Sequence, residues 1–244
     1  MANIFITGSA DGLGELAARQ LVQQGHQVVL HARNEKRGQE ALQKLHGAAT
    51  VLIGDLSSLE ETKQLAADAN AFGDFDAVIH NAGVYQASSE MIIKVNTLAP
   101  YILTCLIQRP KRLIYLSSGM HEGGQPRLKQ LAGGTNGINY SDSKLHDLLL
   151  TKAVARLWSD VYVNAVDPGW VPTKMGGSDA TGNLEKGYET QSWLAVSDEP
   201  EALVSGGYFY HQQQRPYHAK ADDVSIQDEF MLVCEQLTGV KFPK

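Results

Sequence analysis

The feature that most restricts the fold is a glycine turn between a short strand and a helix. Residues 3–7 are apolar and rich in β-favouring side chains, the turn after them contains three glycines, and a helical pattern follows. A helix that begins after such a turn presents free backbone N–H groups and its positive dipole end, which together bind phosphate. Gly8 and Gly12 would allow the close approach of a pyrophosphate, and Gly14 would allow the helix to pack on the sheet. A turn without a ligand is the alternative.

Strands and helices alternate along the rest of the chain. Further strands are predicted at 27–33, 49–53, 76–80, 113–116, 161–166 and 205–210. This alternation favours an α/β fold, namely a doubly wound, Rossmann-type parallel sheet with helices on both faces. The length of 244 residues, with 43% hydrophobic and 20% charged residues, suits one domain over residues 1–244.

Charge and cysteine content argue against several classes of partner. The formal net charge is −6, which does not favour nucleic acid or an anionic membrane. Cys105 and Cys234 lie far apart, and neither they nor the eight histidines form a metal-binding pattern. No apolar run reaches membrane-spanning length, and no cleavable leader precedes the first strand. We therefore expect a cytoplasmic protein without a metal, whose partner is a small molecule.

The end of the second strand predicts the cofactor. In a dinucleotide site this position contacts the adenosine ribose, where an acidic residue favours NAD(H) and an arginine accommodates the 2′-phosphate of NADP(H). The sequence has Arg33 here and no acid in the two residues before it. NADP(H) is therefore preferred over NAD(H), although Asp11 in the glycine turn places a negative charge nearby. Lys36 and Arg37, which open the next helix, could assist Arg33, but as residues at a helix start they are expected to be solvated.

Two more strand ends carry candidate cofactor contacts. Asp55 and Leu56 follow the third strand, where Asp55 could accept a hydrogen bond from an adenine amino group or cap the next helix. Asn81, Ala82 and Gly83 follow the fourth strand and form a small turn against which a ligand could lie. A simple strand-ending turn is the alternative.

Tyr140 and Lys144 are candidates for acid-base chemistry. They stand four residues apart at the start of an apolar helical run, so their side chains share one helix face. A nearby ammonium favours a phenolate and lowers the pKa of a tyrosine from its ordinary value near 10. Such a tyrosine could give and take a proton near neutral pH. The spacing also occurs by chance in many helices, so its meaning depends on the rest of the chain.

Taken in order, the motifs resemble those of the classical short-chain dehydrogenases/reductases. They are Thr7-Gly-x-x-x-Gly-x-Gly14, Asn81-Ala-Gly83, Ser118 and Tyr140-x-x-x-Lys144, and they extend over essentially the whole chain. The C-terminal part is loosely similar to the retinol-dehydrogenase-like and protochlorophyllide-reductase-like branch. The resemblance implies an NADP(H)-dependent oxidoreductase that interconverts a carbonyl and an alcohol by hydride transfer. It allows a homodimer or homotetramer, although the helix predicted at 97–108, which often forms the family's dimer interface, is short.

The resemblance also implies a role for individual residues. Tyr140 would be the general acid/base, and Lys144 would lower its pKa and hold the nicotinamide ribose. Ser118 would orient the substrate oxygen, with Ser117 as the alternative, and Asn96 would support a water that links Lys144 to solvent. The implied cofactor-binding set is Thr7, Gly8, Asp11, Gly12, Leu13, Gly14, Arg33, Asp55, Leu56, Asn81, Ala82, Gly83, Tyr140, Lys144, Pro168, Gly169, Val171 and Thr173.

Two segments are expected to border the substrate. Residues 119–139 form a long, glycine-rich connection that is either a lid or substrate wall, or a surface insertion. Residues 174–200 are expected to cover the substrate. A non-catalytic dinucleotide-sensing protein on the same fold is the alternative function, because a fold does not decide activity. A sugar-nucleotide epimerase or reductase of the extended type is disfavoured by the glycine spacing and the short C-terminal part.

Overall fold

The computed structural model describes residues 1–134 and 136–243, and its centre is one sheet of eight strands. The strands are β1 (Asn3–Ile6), β2 (Gln27–Ala32), β3 (Thr50–Ile53), β4 (Ala77–His80), β5 (Arg112–Leu116), β6 (Tyr162–Asp167), β7 (Tyr208–Tyr210) and β8 (Gln213–Gln214). Their order is β3-β2-β1-β4-β5-β6-β7-β8, and only β8 runs antiparallel to its neighbour. The predicted fold class, a Rossmann-type parallel sheet, is confirmed.

Helices cover both faces of the sheet. They are α1 (Gly12–Gln23), α2 (Glu35–Lys44), α3 (Leu59–Phe72), α4 (Ser89–Ile93), α5 (Ala99–Leu106), α6 (Leu128–Gly133), α7 (Tyr140–Leu157), α8 (Leu184–Val196) and α9 (Val224–Thr238). One apolar core joins the sheet to α1, α2 and α8, and the other joins it to α3, α5, α7 and α9. Among the described residues, no helix is long and apolar enough to cross a membrane.

The strand order places a crevice between β1 and β4. β2 and β3 lie on one side of β1, and β4 lies on the other. After β3 the chain therefore crosses over to β4, so the direction in which strands are added reverses between β1 and β4. Ligands of doubly wound sheets bind outside the carboxyl ends of the strands at such a switch point. The turns after β1, β2 and β4 therefore meet there.

Helix α7 begins at the residue that the sequence singled out. Asn139 caps it, because its side chain accepts from the backbone N–H of Asp142, and the Asp142 carboxylate accepts from the N–H of Asn139 in return. This reciprocal cap fixes the helix start at Tyr140 rather than after the motif. Tyr140 and Lys144 therefore belong to one rigid element.

Three predicted boundaries are wrong in informative ways. The helix expected at 97–108 extends from Ser89 to Leu106, because a π-helical turn at Lys94–Leu98 joins α4 to α5. The closing helix, which the sequence predicts at 228–237, begins at Val224, since the Asp223 side chain caps it. The last predicted strand is shorter than 205–210 and is followed by the antiparallel β8.

Residues 119–139 are more ordered than a flexible connection. They contain a 3-10 turn (Gly119–Gly123) and α6, and an ion pair between Arg127 and the buried Asp142 ties the segment to α7. His121, Leu128 and Leu131 are buried in it. Thr135 lies outside the described residues. The interpretation as a lid stays untested, but most of the segment packs on the fold.

Residues 174–200 divide into two parts. Lys174 and Met175 reach the crevice, whereas α8 packs against α1 and the sheet with Gln191 and Leu194 buried. A substrate-covering role thus stays a prediction for the residues before α8. The helix itself is part of the core.

Candidate active site

The glycine turn after β1 is tight and closely packed. Gly8 has φ 64°, and a side chain there would meet the Cα of Ala82 at 2.8 Å. A side chain at Gly14 would meet the Gly8 carbonyl at 2.7 Å and also the Asn81 side chain. Gly14 is therefore needed for the close packing of α1 against the turn and against Asn81, the residue that follows β4. Gly12 has φ 60° and begins α1.

Side chains from neighbouring strands hold this turn in place. Asn81 Nδ2 donates to the carbonyls of Thr7 and Gly8, at 2.9 and 3.1 Å. Thr7 Oγ1 accepts from the Ala82 N–H at 3.1 Å. Thr7 is buried, so it joins β1 to the turn after β4 and does not face the crevice.

His31 is a turn-positioning residue that sequence reasoning missed. It is buried at the end of β2, where Nδ1 accepts from the Gly8 N–H at 2.8 Å and Nε2 donates to the Gly54 carbonyl at 2.9 Å. Burial lowers the pKa of His31, although the Gly54 carbonyl and Asp55 oppose this. The neutral ring is the form that can both accept and donate here. The sequence showed only that this position carries no acid.

One cleft of about 460 Å³ runs along the carboxyl edge of the sheet. Most predicted cofactor residues line it: Gly8, Asp11, Gly12, Leu13, Arg33, Asp55, Leu56, Asn81, Ala82, Gly83, Tyr140, Lys144, Pro168 and Thr173. The lining does not include Thr7, Gly14, Asn96, Ser118, Gly169 or Val171. The structure thus brings the glycine turn and the Tyr140–Lys144 pair into the wall of one cavity.

The part of the cleft where the adenosine is predicted to lie carries opposite charges close together. Arg37 Nη2 lies 2.6 Å from Asp11 Oδ2, and Lys174 Nζ lies 3.0 Å from the same oxygen. Burial opposes ionisation of Asp11, but the bonds from Arg37 and Lys174 outweigh it and lower its pKa. Arg33 is exposed and also borders the cleft. The expectation that Arg37 is merely solvated is therefore wrong.

Asp55 lies at the cleft but does not cap α3. Its Oδ1 accepts from the Ser57 N–H and hydroxyl at 2.9 and 2.7 Å. Ser58 is the cap, because its side chain accepts from the Glu61 N–H. The capping interpretation of Asp55 is wrong, and its contact with adenine stays a prediction.

Tyr140 and Lys144 share one face of α7 and both line the cleft. Lys144 Nζ lies 5.5 Å from the centre of the Tyr140 ring. The Tyr85 ring meets the Tyr140 ring edge-on, with 4.9 Å between their centres. Tyr140 is partly exposed, whereas Lys144 is buried. The phenol therefore has access to the cleft, and the ammonium lies beneath it.

Lys144 is held by two acceptors. Its Nζ donates to the Leu116 carbonyl at 2.6 Å and to Asp147 Oδ2 at 2.9 Å. Burial disfavours its charge, but Asp147 and Tyr140 outweigh this effect and raise its pKa. The lysine is therefore a fixed ammonium. Sequence reasoning missed Asp147, because a polar residue in a helix gives no signal by itself.

The two candidate serines differ in what their hydroxyls do. Ser117 Oγ is buried and donates to the Lys144 backbone carbonyl at 2.8 Å, so its proton is already used. Ser118 is half-buried, and its Oγ accepts from the Met120 N–H at 3.2 Å, which leaves its own proton available. Ser117 borders the cleft while Ser118 lies just beyond it, so proximity and hydrogen bonding point to different serines. We give more weight to the available proton, which favours Ser118.

Asn96 lies in the π-helical turn between α4 and α5 and links three elements. Its Oδ1 accepts from the Val84 N–H at 2.8 Å, and its Nδ2 donates to the Val84 carbonyl and Ser143 Oγ at 3.0 Å each. A side chain added to Gly83 would touch both Asn96 and Lys144. Asn96 therefore fixes the backbone beside Lys144, and its water-supporting role stays a prediction.

The turn after β6 forms the remaining wall. Pro168 and Thr173 border the cleft, and Thr173 Oγ1 accepts from the Gly176 N–H at 3.2 Å. Gly169 has φ 75° and donates to Asp167 Oδ1 at 2.8 Å. Val171 is buried within its own loop, so the structure places it away from the cleft surface.

A second, more open cavity of about 330 Å³ adjoins Ser118. Its walls, which sequence reasoning did not bring together, are Gly119, His121, Glu122, Asp167, Tyr208, Tyr210 and Arg215. No group of three or more potential metal ligands occurs in the described part of the chain.

Known proteins resemble this chain over its whole length. An uncharacterized oxidoreductase of Emericella nidulans is 44% identical, and the match covers 100% of this chain and 99% of the relative. The short-chain dehydrogenase chry4 of Gibberella zeae is also 44% identical, with the same coverage. Human retinol dehydrogenase 13 is 28% identical over 98% of this chain and 85% of its own length. The predicted likeness to retinol dehydrogenases is therefore confirmed.

Solved structures share the fold. A protein of Mycobacterium paratuberculosis superposes with a TM-score of 0.84 at 25% identity, covering 100% of this chain and 96% of that one. A blue fluorescent protein from a metagenomic library, solved in complex with NADPH, has a TM-score of 0.69 at 20% identity, covering 85% and 95%.

A family model described as short chain dehydrogenase matches residues 2–110, which include the glycine turn and Asn96. Together with the relatives that match the full chain, this shows that the protein is an enzyme of the short-chain dehydrogenase/reductase family.

Proposed function

We propose that the protein is an NADP(H)-dependent oxidoreductase that interconverts a carbonyl and an alcohol, with Tyr140 as the general acid/base. One observation carries the proposal: the glycine turn and the Tyr140–Lys144 pair line one cleft, next to the switch point of the sheet. A dinucleotide bound along such a cleft has its phosphates at one end and its reactive ring at the other.

The residues of the cleft fit a nicotinamide dinucleotide. Gly8 and Gly12 line the cleft, and α1 begins at Gly12, so its first N–H groups and positive dipole end would bind a pyrophosphate in the cleft. The Asp11 side chain does not occupy these N–H groups, since it makes no capping hydrogen bond. Pro168 and Thr173 would border the nicotinamide. When bound, the cofactor supplies or accepts the hydride.

Tyr140 would move the proton that accompanies the hydride. In reduction its phenol donates to the substrate oxygen, and in oxidation its phenolate takes the alcohol proton. The Lys144 ammonium stabilises the phenolate electrostatically. Ser118 would donate a hydrogen bond to the same substrate oxygen, which stabilises the charge that develops there.

Two arginines support a preference for NADP(H). Arg33 and Arg37 both border the adenosine end, and guanidinium groups bind phosphate with charge-assisted hydrogen bonds. Asp11 already pairs with Arg37, so a 2′-phosphate would compete with this carboxylate. The preference for NADP(H) therefore depends on whether Arg37 binds the 2′-phosphate more strongly than it binds the Asp11 carboxylate.

The rim of the cleft supports a substrate of moderately apolar character. Tyr85, Met91 and Met175 are exposed large apolar side chains. Tyr85 contacts Tyr140, and Met91 and Met175 border the cleft. Exposed apolar groups beside a catalytic cleft favour an apolar ligand. A cytoplasmic location and a homo-oligomer stay predictions, and no feature of the described residues favours the non-catalytic sensor.

A panel of ketones and aldehydes tests the proposal. Each carbonyl compound is added to the enzyme with NADPH or NADH, and cofactor absorbance is followed. We expect turnover of apolar carbonyl compounds with NADPH, and slower turnover with NADH. Equal rates with both cofactors would contradict the proposed preference, and binding of NADPH without turnover of any compound would favour the sensor instead.

A further inference from the structure

The Tyr140–Lys144 pair has a charged neighbour that no motif contains. Asp147 stands three residues after Lys144 on α7, so both side chains emerge on the same face. Its Oδ2 accepts from Lys144 Nζ at 2.9 Å, and each of the two side chains is only 5% exposed. The ammonium beneath the Tyr140 ring is therefore one half of a buried ion pair.

The pair is specific and isolated. The Asp147 carboxylate accepts no other side-chain hydrogen bond within residues 1–134 and 136–243, since Thr151 bonds only to the Asp147 backbone carbonyl. Burial raises the pKa of Asp147 to about 6, and Lys144 opposes this rise. The carboxylate is thus ionised near neutral pH. A buried ion pair adds little to stability over apolar residues of the same size. Stability alone therefore does not explain why Lys144 and Asp147 are paired here.

The remaining titratable groups around the pair are neutral or belong to the catalytic centre. They are Tyr140 on α7, Tyr115 on β5, and His80 on β4, which stacks on Tyr115. The Tyr85 phenol also belongs to these surroundings, because its ring packs edge-on against the Tyr140 ring. Burial raises the pKa of Tyr115 and lowers that of His80 to about 3, so neither carries charge at neutral pH. The electrostatic potential at the Tyr140 phenol is therefore governed by Lys144 and Asp147 together.

We propose that Asp147 is a positioning residue of the catalytic centre, which fixes the Lys144 ammonium against β5, partly neutralises it, and so sets the pH range in which Tyr140 exchanges its proton. The inference rests on the proposed role of Tyr140. A lone ammonium would favour the phenolate strongly, whereas an ammonium paired with a carboxylate acts more like a dipole, whose effect falls off faster with distance. Loss of the carboxylate charge should therefore make the phenol more acidic.

Direct titration of the phenol tests this without requiring activity. The protein is labelled with tyrosine carrying carbon-13 next to the hydroxyl, and the Tyr140 signal is assigned as the one that Tyr140→Phe removes. In Asp147→Asn the side chain keeps its shape and can still accept from Lys144. We expect its Tyr140 titration midpoint to fall by about one pH unit relative to wild type. The pH profile of activity should shift in the same direction.

Asp222→Asn is the matched control. Asp222 pairs at 2.9 Å with Lys152, which lies two turns further along α7, but its side chain is 56% exposed. This variant removes the same charge beside a lysine of the same helix. Its Tyr140 midpoint should stay at the wild-type value.

An unchanged Tyr140 midpoint in folded Asp147→Asn would overturn the proposal. If that variant does not fold, Asp147→Ser removes the same charge and should give the same shift. Failure of both to fold would make the carboxylate a structural group and would also overturn it. Full activity of Tyr140→Phe would instead refute the proposed function, while the phenol titration would still decide whether Asp147 controls the ammonium.

Discussion

The two ends of the cleft use ion pairs in opposite ways. At the adenosine end Asp11 is 36% exposed and Lys174 is 79% exposed, so their contact lies in water. At the catalytic end Lys144 and Asp147 are each 5% exposed, and the ammonium is also bonded to the Leu116 carbonyl. Exposed pairs contribute little stability and exchange partners readily, whereas a buried pair that loses one partner leaves an uncompensated charge.

This difference separates binding from chemistry. Arg37 and Lys174 can leave Asp11 when a phosphate offers a better partner, because solvent screens the exchange. Lys144 has no such freedom, and a fixed charge is what the proposed acid-base chemistry at Tyr140 requires. The exposed end suits recognition of the cofactor, and the buried end suits control of the proton.

Breaking the buried pair should have the largest effect. Lys144→Met leaves Asp147 buried without its partner, which should cost about 3–5 kcal/mol of unfolding free energy at neutral pH. Chemical denaturation measures this loss. Lys174→Met, which breaks the exposed pair, should cost less than about 1 kcal/mol. Similar losses in the two variants would show that burial does not distinguish the two ends.

The buried side of α7 should also make the protein sensitive to acid. His146 is buried, and Thr97 and the Pro126 carbonyl bond to its two ring nitrogens. Burial lowers its pKa to about 4, below the unfolded value of about 6.5. The unfolded chain therefore takes up the proton first, and stability is lost as pH falls from about 6.5 to 4, by up to about 3 kcal/mol from this group.

Denaturation of His146→Gln at several pH values measures that contribution. The variant should lose less stability than wild type between neutral pH and pH ~4, because it lacks the titrating group. Asp147 has the opposite slope in part of this window, since its folded pKa is raised to about 6. Asp147 is present in both wild type and His146→Gln, so its contribution cancels when their pH dependences of stability are compared. An identical pH dependence would contradict the assignment to His146.

At the exposed end the effect should appear in cofactor affinity rather than in stability. Arg37→Ala should weaken NADPH binding about tenfold and leave NADH binding unchanged, because it removes one charge-assisted contact to the 2′-phosphate. Fluorescence titration measures both affinities. Lys36→Ala, at the neighbouring exposed position, is the control. Equal weakening for both cofactors would remove the argument for a 2′-phosphate site.

The smallest effect is expected at Asp11. Asp11→Asn removes the carboxylate that competes for Arg37, so NADPH should bind about two- to threefold tighter at low salt, and the gain should fade as salt rises. The same titration at two ionic strengths measures it. Weaker NADPH binding in this variant would show that Asp11 organises the site rather than competing within it.

The sequence predicted the fold and the two ends of the cleft because those features depend on local patterns. Alternating strands and helices indicate a parallel sheet. Glycine is favoured where the backbone turns with positive φ, as it does at Gly8. The Tyr140–Lys144 spacing is likewise local, and the Asn139 cap fixes it at the start of α7. Such features can be recognised without knowing what packs against them.

The features that sequence reasoning missed depend on contacts between distant residues. His31 matters because Gly8 and Gly54 reach its ring from other turns. Arg37 lies at the cleft because its guanidinium donates to Asp11, which belongs to another turn. Asp147 is an ordinary helix residue until α7 is buried against β5. Only the folded arrangement shows these partners.

Single-turnover kinetics of Tyr140→Phe measure whether the Tyr140 phenol is the proton donor. With saturating NADPH and a carbonyl substrate from the panel, we expect cofactor oxidation to slow at least about 100-fold, because the phenol no longer donates a proton. NADPH affinity should stay within about threefold of wild type, since the ring remains in place. Cofactor oxidation at the wild-type rate in this folded variant would contradict the assignment of Tyr140 as the proton donor.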